Sequence, residues 1–546
     1  MSETTQAGKA GVSGMPHVPL RPKLLTALAE GYGLRDLRAD LVAGLTVAIV
    51  ALPLSMAIAI ASGVGPERGL VTAIVGGALV SAFGGSRFQI GGPAGAFIVL
   101  VAACVMQTGV SGLVLATLLS GVMLALLGVL RLGGYIRFMP YPVTVGFTTG
   151  IGVIILASQF KDMLGLSLPG GEPGPILPKI AALWGARGTA SPMAIAVALA
   201  TIALIVGLKR FAPRLPSLLI AVALVTLITA LAGLPVETIA SKFGELPRFL
   251  PAPALPDLSW DKVSTALPWA LSFTLLGAIE SLLSAMVADG MSGGQHRSDM
   301  ELVAQGIANI GSALFGGICV TGTIARTATN VRAGARSPIA GIAHSVILLA
   351  TMMVAAPLAG SIPLAALAGL LGIVAWNMIE RHEFAALTRA SRGDALVLWV
   401  TFLVVTFRDL AEGIVLGFAL GGLVFIRHMA ELAQLREGSA PAADNPEAQD
   451  PDVLRYRLHG MVFFGSVARL GTILTRIAQR PRVVEIDVAE VSFIDSTGVQ
   501  MIATLAKQLQ RRGGALVIVN ARPDIVQALN AYGLAQAGVD ILPAPL

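Results

Sequence analysis

Arg326 lies in the stretch GTIARTATNVRAG (residues 322–334), between the apolar runs SALFGGICV and PIAGIAHSVILLATMMVAA. An arginine near the centre of a bilayer costs about 2.5–3.5 kcal/mol on insertion scales, so a chain that keeps one there has a use for it. Two uses fit this residue type. The guanidinium attracts an anion, or it neutralises a buried carboxylate, for which Glu280 in LLGAIESLLSAMVADG is the candidate because that run is otherwise almost wholly apolar. The two uses are compatible: a cation and a carboxylate near a shared site can act as a coupling device, with Glu280 holding a proton or a cation that the anion requires.

That a bilayer is present follows from composition. The 546 residues are 55% hydrophobic and only 13% charged, with 62 glycines and a mean hydropathy of +0.78, outside the balance of a soluble protein. The first 40 residues hold no apolar core with a cleavage site and carry Lys9, Arg21, Lys23, Arg35 and Arg38. Residues 1–38 therefore read as a retained cytoplasmic tail. Cys104 and Cys319 lie in apolar surroundings without a metal-ligand pattern and read as small buried hydrophobes. A net charge of +6, without interleaved basic and aromatic residues, argues for orientation in a membrane and against nucleic-acid binding. With no nucleophile pattern, metal cluster or nucleotide loop, an enzyme is not expected, nor is a cofactor.

Apolar segments fill the chain from about residue 41 to about 426, and their spacing predicts fourteen of them. With a cytoplasmic amino terminus, the connections after even-numbered segments hold Arg87, Arg131, Lys209, Arg210, Arg297, Arg332, Arg336 and Arg381, whereas opposite connections such as TGVSG and GSIP hold almost none. This agrees with the positive-inside rule. Fourteen divides into seven and seven, and an odd-numbered unit repeated once must be inverted in the membrane, with its binding site where broken helices meet. Two interruptions match: QIGGPAGAF (89–97) opens the short third segment and CVTGTIART (319–327) opens the short tenth. About ten residues of helix span only about 15 Å, half the hydrocarbon thickness. Two half-helices with facing amino ends would aim free N–H groups and positive dipole ends at one point, which is an anion site. Arg326, on the first turn of the second half-helix, would add a full charge.

These residues resemble a known family. ADLVAGLTVAIVALPLSMAIAIASG, GAIESLLSAMVADGMSGGQHRSDMELVAQGIANIGSALFGG and TGTIARTATNVRAGARSPIAG are similar to the SulP family, bacterial relatives of the solute carrier 26 anion transporters and the plant sulfate transporters. The resemblance implies an all-α polytopic membrane domain of fourteen segments, a 7+7 inverted repeat in which a core (segments 1–4 and 8–11) moves against a gate (5–7 and 12–14), commonly in a homodimer. It implies substrate contacts at Gly92, Pro93, Ala94 and Gly95, and at Gly322, Thr323, Ile324, Ala325 and Arg326. It also implies a coupling-ion site at Glu280 and Ser284, where sodium-coupled relatives hold their metal ion. Residues i and i+4 share a helix face, so the last pair is geometrically compatible. Many relatives have Pro-Gln or Pro-Glu in the first segment where this chain has Pro53 and Leu54, which leaves Glu280 as the main candidate for coupling.

Other polar residues read more plainly. Glu301, Gln305 and Asn309 recur every four residues as a hydrogen-bonding seam on the ninth helix. Asp289, His296 and Arg297 read as solvated or capping residues, and His344 as a satisfied interior histidine. Pro53 removes an N–H and bends the first segment, leaving a carbonyl that either faces the site or marks a plain kink. The membrane domain is expected over 39–428, a polar linker over 429–451, and a small cytoplasmic α/β domain over 452–546, where LRYRLHG, VVEIDV and ALVIVN read as strands and SVARLGTILTRIAQR and TGVQMIATLAKQLQRRG as helices. That domain resembles the STAS domain, whose strand-to-helix loop matches FIDSTG (493–498). The resemblance implies Ser496 as a phosphosite for a cytoplasmic regulator, and helix capping by Asp495 or Ser496 explains the same spacing without a kinase.

The expected function is secondary active transport of a small anion of the sulfate, bicarbonate or dicarboxylate class across the cell (inner) membrane, with both termini cytoplasmic and sodium or a proton as the coupling ion. Membrane lipid and a second copy of the chain are the expected partners. The alternatives are a nucleobase permease of the same fold, which would place carboxylates rather than an arginine on segment 10, and an anion sensor signalling through the STAS domain.

Overall fold

The computed structural model describes residues 20–136, 139–168, 172–213, 215–432, 434–437, 453–467, 470, 483–534 and 538–543. Lys9 lies outside them, as do most of the 429–451 linker and most of the helix expected over SVARLGTILTRIAQR. The chain forms two compact units, Met1–Phe418 and Ala419–Leu546.

The fourteen expected segments are present. The first is the helix Leu34–Ala61, with Pro53 inside it; the second runs Pro66–Val71, a π-turn Thr72–Gly76 and Gly77–Phe83. The third and fourth form one helical run, Ile98–Val129, broken at Gly109, whose φ of +70° no helix contains and glycine adopts without a side-chain clash. Then come Tyr141–Leu164, Pro192–Phe211 and Ser217–Leu231. The second half holds Trp260–Ser292, Ser298–Leu314, the nine-residue Ile324–Arg332, Ile339–Gly360, Leu364–Met378, Arg392–Phe407 and Leu410–Leu432. Among the described residues, eight helices are long and apolar enough to cross a membrane alone. The chain is a multi-pass membrane protein.

Packing follows the inverted repeat. The eighth and ninth segments pack on the third–fourth run, and the first and second pack on the eleventh, while the tenth touches the first and the eighth. Exchanging segment n for n+7 maps these contacts onto one another. A second body forms around the fifth segment, which packs on the twelfth and thirteenth, with the sixth against the seventh and the twelfth. Each body packs mainly within itself, and one buried apolar cluster joins the two, with Ala48 and Phe97 from the first body and Phe147, Ile205 and Leu367 from the second.

Three boundaries differ from expectation. The first helix starts at Leu34, seven residues before the apolar run, because Asp36 accepts the Gly33 N–H at 3.0 Å and so caps it. Residues 20–30 of the expected tail are tied down: Lys23–Ala29 is a helix, the Lys23 N–H donates to the Gly84 carbonyl at 2.9 Å, and Arg87 pairs with Glu30. At the far end, the fourteenth helix continues to Leu432 with an Arg427–Glu431 pair at 3.1 Å, and a strand occupies Gln434–Glu437, both inside the stretch expected to be linker. Charged residues one turn apart support a helix, so polarity alone mis-set that boundary.

The second unit is a mixed sheet in the order β3 (Gln434–Glu437), β4 (Val453–Val462), β5 (Val483–Asp487), β7 (Ala515–Ala521), β8 (Asp540–Pro543), with β6 (Val491–Ile494) pairing β4. All pairings except β3–β4 are parallel. Helices Ser496–Gln510 and Pro523–Ala531 bury Leu505, Leu509, Ile525 and Leu529 against Val484, Ile486 and Ile518.

Candidate functional site

The two interruptions meet. Gly91–Gly92 (β1) and Thr321–Gly322 (β2) form an antiparallel pair, Gly91 opposite Gly322 and Gly92 opposite Thr321. The Thr323 N–H and hydroxyl both donate to the Ile90 carbonyl, at 3.0 and 3.1 Å. Buried backbone must be paired, and here each interruption satisfies the other. From this crossing a 3-10 turn, Gly95–Phe97, leads into the third helix with Ala94 as its extended N-cap, and Ile324–Arg332 starts after an extended Thr323. Helix geometry leaves the first N–H groups of each without an intrahelical acceptor. Gly92, Pro93, Ala94, Gly95, Gly322, Thr323, Ile324 and Ala325 are thus brought together as two facing amino ends.

Close approach explains two glycines. A Cβ on Gly322 would lie 1.8 Å from the Gln89 amide nitrogen, and one on Gly92 would lie 2.4 Å from Arg326 Nη1. A side chain from each half therefore covers the glycine that opens the other half.

Arg326 is 1% exposed. Its Nη2 donates to the Ser55 hydroxyl and to the Pro93 carbonyl, each at 3.2 Å. Among the described residues its Nε and Nη1 have no hydrogen-bond partner, and no ion pair joins it to Glu280 or another carboxylate. The pairing considered for these two residues is not formed. The guanidinium extends from the tenth segment towards the first and third, and Glu280 stands on the eighth.

Glu280 is buried one turn from Ser284. The Ser284 hydroxyl donates to Thr327 Oγ1 at 3.0 Å, and Thr327 also receives the Ile90 N–H at 3.1 Å. Ser281 Oγ lies 2.8 Å from Thr321 Oγ1 and accepts the Gly322 N–H at 3.2 Å. The face carrying Gly277, Glu280, Ser281 and Ser284 is thus wired to the opening of the tenth segment.

The ninth helix holds both approaches in place. Glu301 accepts the Gly85 and Ser86 N–H groups at 2.9 and 3.0 Å and an amide hydrogen bond from Gln305 at 2.9 Å. Asn309 pairs in both directions with the Val320 backbone, at 2.8 and 2.9 Å. The seam read from four-residue spacing is real. Asp289 accepts the His296 N–H at 2.9 Å and lies 2.6 Å from its Nδ1, so these two residues are neither solvated nor a helix cap but a part-buried link between the eighth and ninth helices. His344 differs from expectation: it is wholly buried, yet neither ring nitrogen has a partner among the described residues. Sequence reasoning also passed over Ser55, Gln89, Ser281 and Thr327. Ser281 shares the i, i+3/i+4 face of Gly277 and Ser284 and could have been found by that spacing.

In the second unit, Asp495 caps the helix Ser496–Gln510 by accepting the Gly498 N–H at 2.8 Å, and it also receives the Phe464 N–H at 3.1 Å. Ser496 is exposed at the first helical position.

The pattern of the sulfate permease family matches residues 37–401, which include the whole crossing. The chain belongs to the sulfate permease family. This is a family of transporters, not enzymes. The STAS domain pattern matches residues 446–538. YvdB of Bacillus subtilis (strain 168) is 39% identical over 509 residues, covering 92% of this chain and 95% of its own length. The bicarbonate transporter BicA of Picosynechococcus is 31% identical over 459 residues, 79% of each chain. The structure of the murine Solute Carrier 26 family member A9 anion transporter in the inward-facing state superposes with a TM-score of 0.84 at 20% identity, covering all of this chain and 95% of that one. At that identity the likeness shows the fold.

Proposed function

We propose that the protein is a secondary active transporter of a small anion, moving its core against its gate. The observation that carries this reading is Arg326: a buried guanidinium that has, among the described residues, no carboxylate counter-charge and two nitrogens without a partner, beside two facing helix amino ends. A buried cation left in that state is costly unless an anion completes it. The substrate class is sulfate, bicarbonate or a dicarboxylate, in keeping with the family and with BicA. Arg326 in place of a carboxylate on the tenth segment disfavours a nucleobase.

Transport is coupled to a cation at Glu280, with sodium favoured over a proton. Leu54 leaves no carboxylate at that place in the first segment, and the Ser284 hydroxyl, although it donates to Thr327, keeps lone pairs for a metal ion. The working form is a homodimer in the cell membrane with both termini cytoplasmic. The STAS domain serves regulation, with Ser496 as its phosphosite. Uptake of labelled sulfate, bicarbonate and a dicarboxylate into proteoliposomes, in competition and with or without a sodium gradient, tests the reading. Binding without net uptake of any of them would instead identify a sensor.

A further inference from the structure

A cavity of about 730 Å³ lies between the ends of the first, fifth and thirteenth segments and the third. Its floor is the third helix, through Ile98, Val99, Ala102 and Met106. Ile98 is three residues beyond Gly95, about 6 Å along the 3-10 turn, so this floor starts beside the crossing. The facing wall belongs to the gate and is polar. It includes Lys179, which is only 6% exposed. The Lys179 ammonium donates to the Ser158 hydroxyl at 2.5 Å and forms an ion pair with Glu172 at 2.9 Å. All three residues line the cavity, as does Thr406, whose buried hydroxyl has no partner among the described residues.

We propose that Lys179 is a second anion subsite, on the route between this face of the membrane and the crossing, and that the Glu172 carboxylate occupies it when no substrate anion is there. The proposal rests on the anion-transport reading. An ammonium this deeply buried needs a counter-charge. Of its two partners, Ser158 is fixed in the fifth helix and is neutral, whereas Glu172 sits in irregular chain just before the helix Ile176–Gly185 that carries Lys179. The carboxylate can withdraw without unfolding an element. The remaining charged residues lining the cavity are Lys161, Lys242 and Arg408 against Asp162 and Asp409, so withdrawal of Glu172 leaves the wall with an excess of positive charge. A carboxylate in this place has the same charge and geometry as one face of a bicarbonate or dicarboxylate, and two of the oxygens of sulfate. The anion then exchanges one carboxylate-like contact for another, with little desolvation cost at the ammonium. Because the subsite is on the gate and the cavity floor is on the core, the anion passes from one body to the other on its way to Arg326.

The test uses the full-length protein in proteoliposomes, with initial uptake of labelled sulfate and bicarbonate measured against concentration. Lys179→Gln raises the half-saturating concentration about three- to tenfold with little change in maximal rate, and weakens its dependence on ionic strength. Lys179→Arg restores it. Glu172→Gln lowers the half-saturating concentration, because the competitor is gone. An unchanged half-saturating concentration in Lys179→Gln overturns the proposal, and so does a loss confined to maximal rate that Arg cannot rescue, which marks a purely structural ion pair. If Lys179→Gln does not fold, Glu172→Gln decides: an unchanged or raised half-saturating concentration overturns the proposal. Failure of the unmodified protein to take up either anion overturns the transport reading itself, and this proposal with it.

Discussion

The Pro93 carbonyl accepts a hydrogen bond from Arg326 at 3.2 Å, across 233 residues of sequence. This bond ties the approach to one half-helix to the first turn of the other, and the same nitrogen also reaches Ser55 in the first segment. Three core elements are thereby held at one guanidinium, and its other two nitrogens have no partner among the described residues.

Arg326→Ala is expected to weaken anion binding at least about tenfold, the loss of a charge-assisted contact in a desolvated site. The backbone pairing of Gly91 with Gly322 does not depend on the side chain, so the protein should still insert and elute as its normal oligomer. Binding titration of the purified variant checks this. An unchanged affinity in a well-folded protein contradicts the role given to the guanidinium.

Gly92→Ala probes the same charge without removing it. The new methyl would start 2.4 Å from Arg326 Nη1, the far end of a flexible side chain, so the guanidinium has to give by about 1 Å to reach ordinary contact. Transport should fall several-fold, and because Gly92 has a φ of +158°, which residues with a side chain rarely adopt, stability should fall by about 1–3 kcal/mol. A stability loss without a transport defect would mean that the approach is only structural.

How much of this was legible in the sequence depends on whether a feature is local. The interruptions at 89–97 and 319–327 carry glycines inside apolar runs, and the seam at Glu301, Gln305 and Asn309 has the period of a helix; both were visible and both are observed. The direction of Arg326 was not visible, because it is decided by Ser55 and Pro93, which lie 271 and 233 residues away. For the same reason the sequence permits a Glu280–Arg326 pair that the structure does not form. The break at Gly109 fell where expected, but the run Ile98–Val129 continues around it without a polar connection that would set its edges.

Asn309→Ala should destabilise the membrane domain by about 2–4 kcal/mol, since it leaves the buried N–H and C=O of Val320 unpaired at once. A lowered unfolding temperature in detergent, partly recovered on adding substrate anion, is the expected result. The anion effect follows because Val320 leads directly into β2 and the crossing.

In the STAS domain, Asp495→Ala should cost about 1 kcal/mol by removing the cap of the following helix. Ser496→Ala should cost less than about 0.5 kcal/mol, being an exposed change. Denaturant unfolding of the two variants separates capping from regulation: a transport change in Ser496→Ala with unaltered stability would support the phosphosite, and equal losses in both variants would contradict the cap assigned to Asp495.

Glu280→Gln tests coupling. Glu280 is buried on the helix face that also carries Ser281 and Ser284, and those two serines hydrogen-bond Thr321 and Thr327 at the opening of the tenth segment. A buried carboxylate without an ion pair to Arg326 has to be neutralised by a proton or a cation, and whatever neutralises it sits on an element wired to the proposed anion site. Occupancy at the two places is then linked, and by reciprocity the cation favours the anion as much as the anion favours the cation. Glutamine keeps the shape and one acceptor oxygen but needs no neutralising partner, so the link is cut without disturbing the crossing. The expected outcome is that gradient-driven accumulation falls to an inside-to-outside ratio of about one, while anion binding and exchange persist. Measuring accumulation under a sodium gradient and, separately, under a pH gradient identifies which ion is used. Full accumulation by the variant under either gradient would place the coupling site away from Glu280.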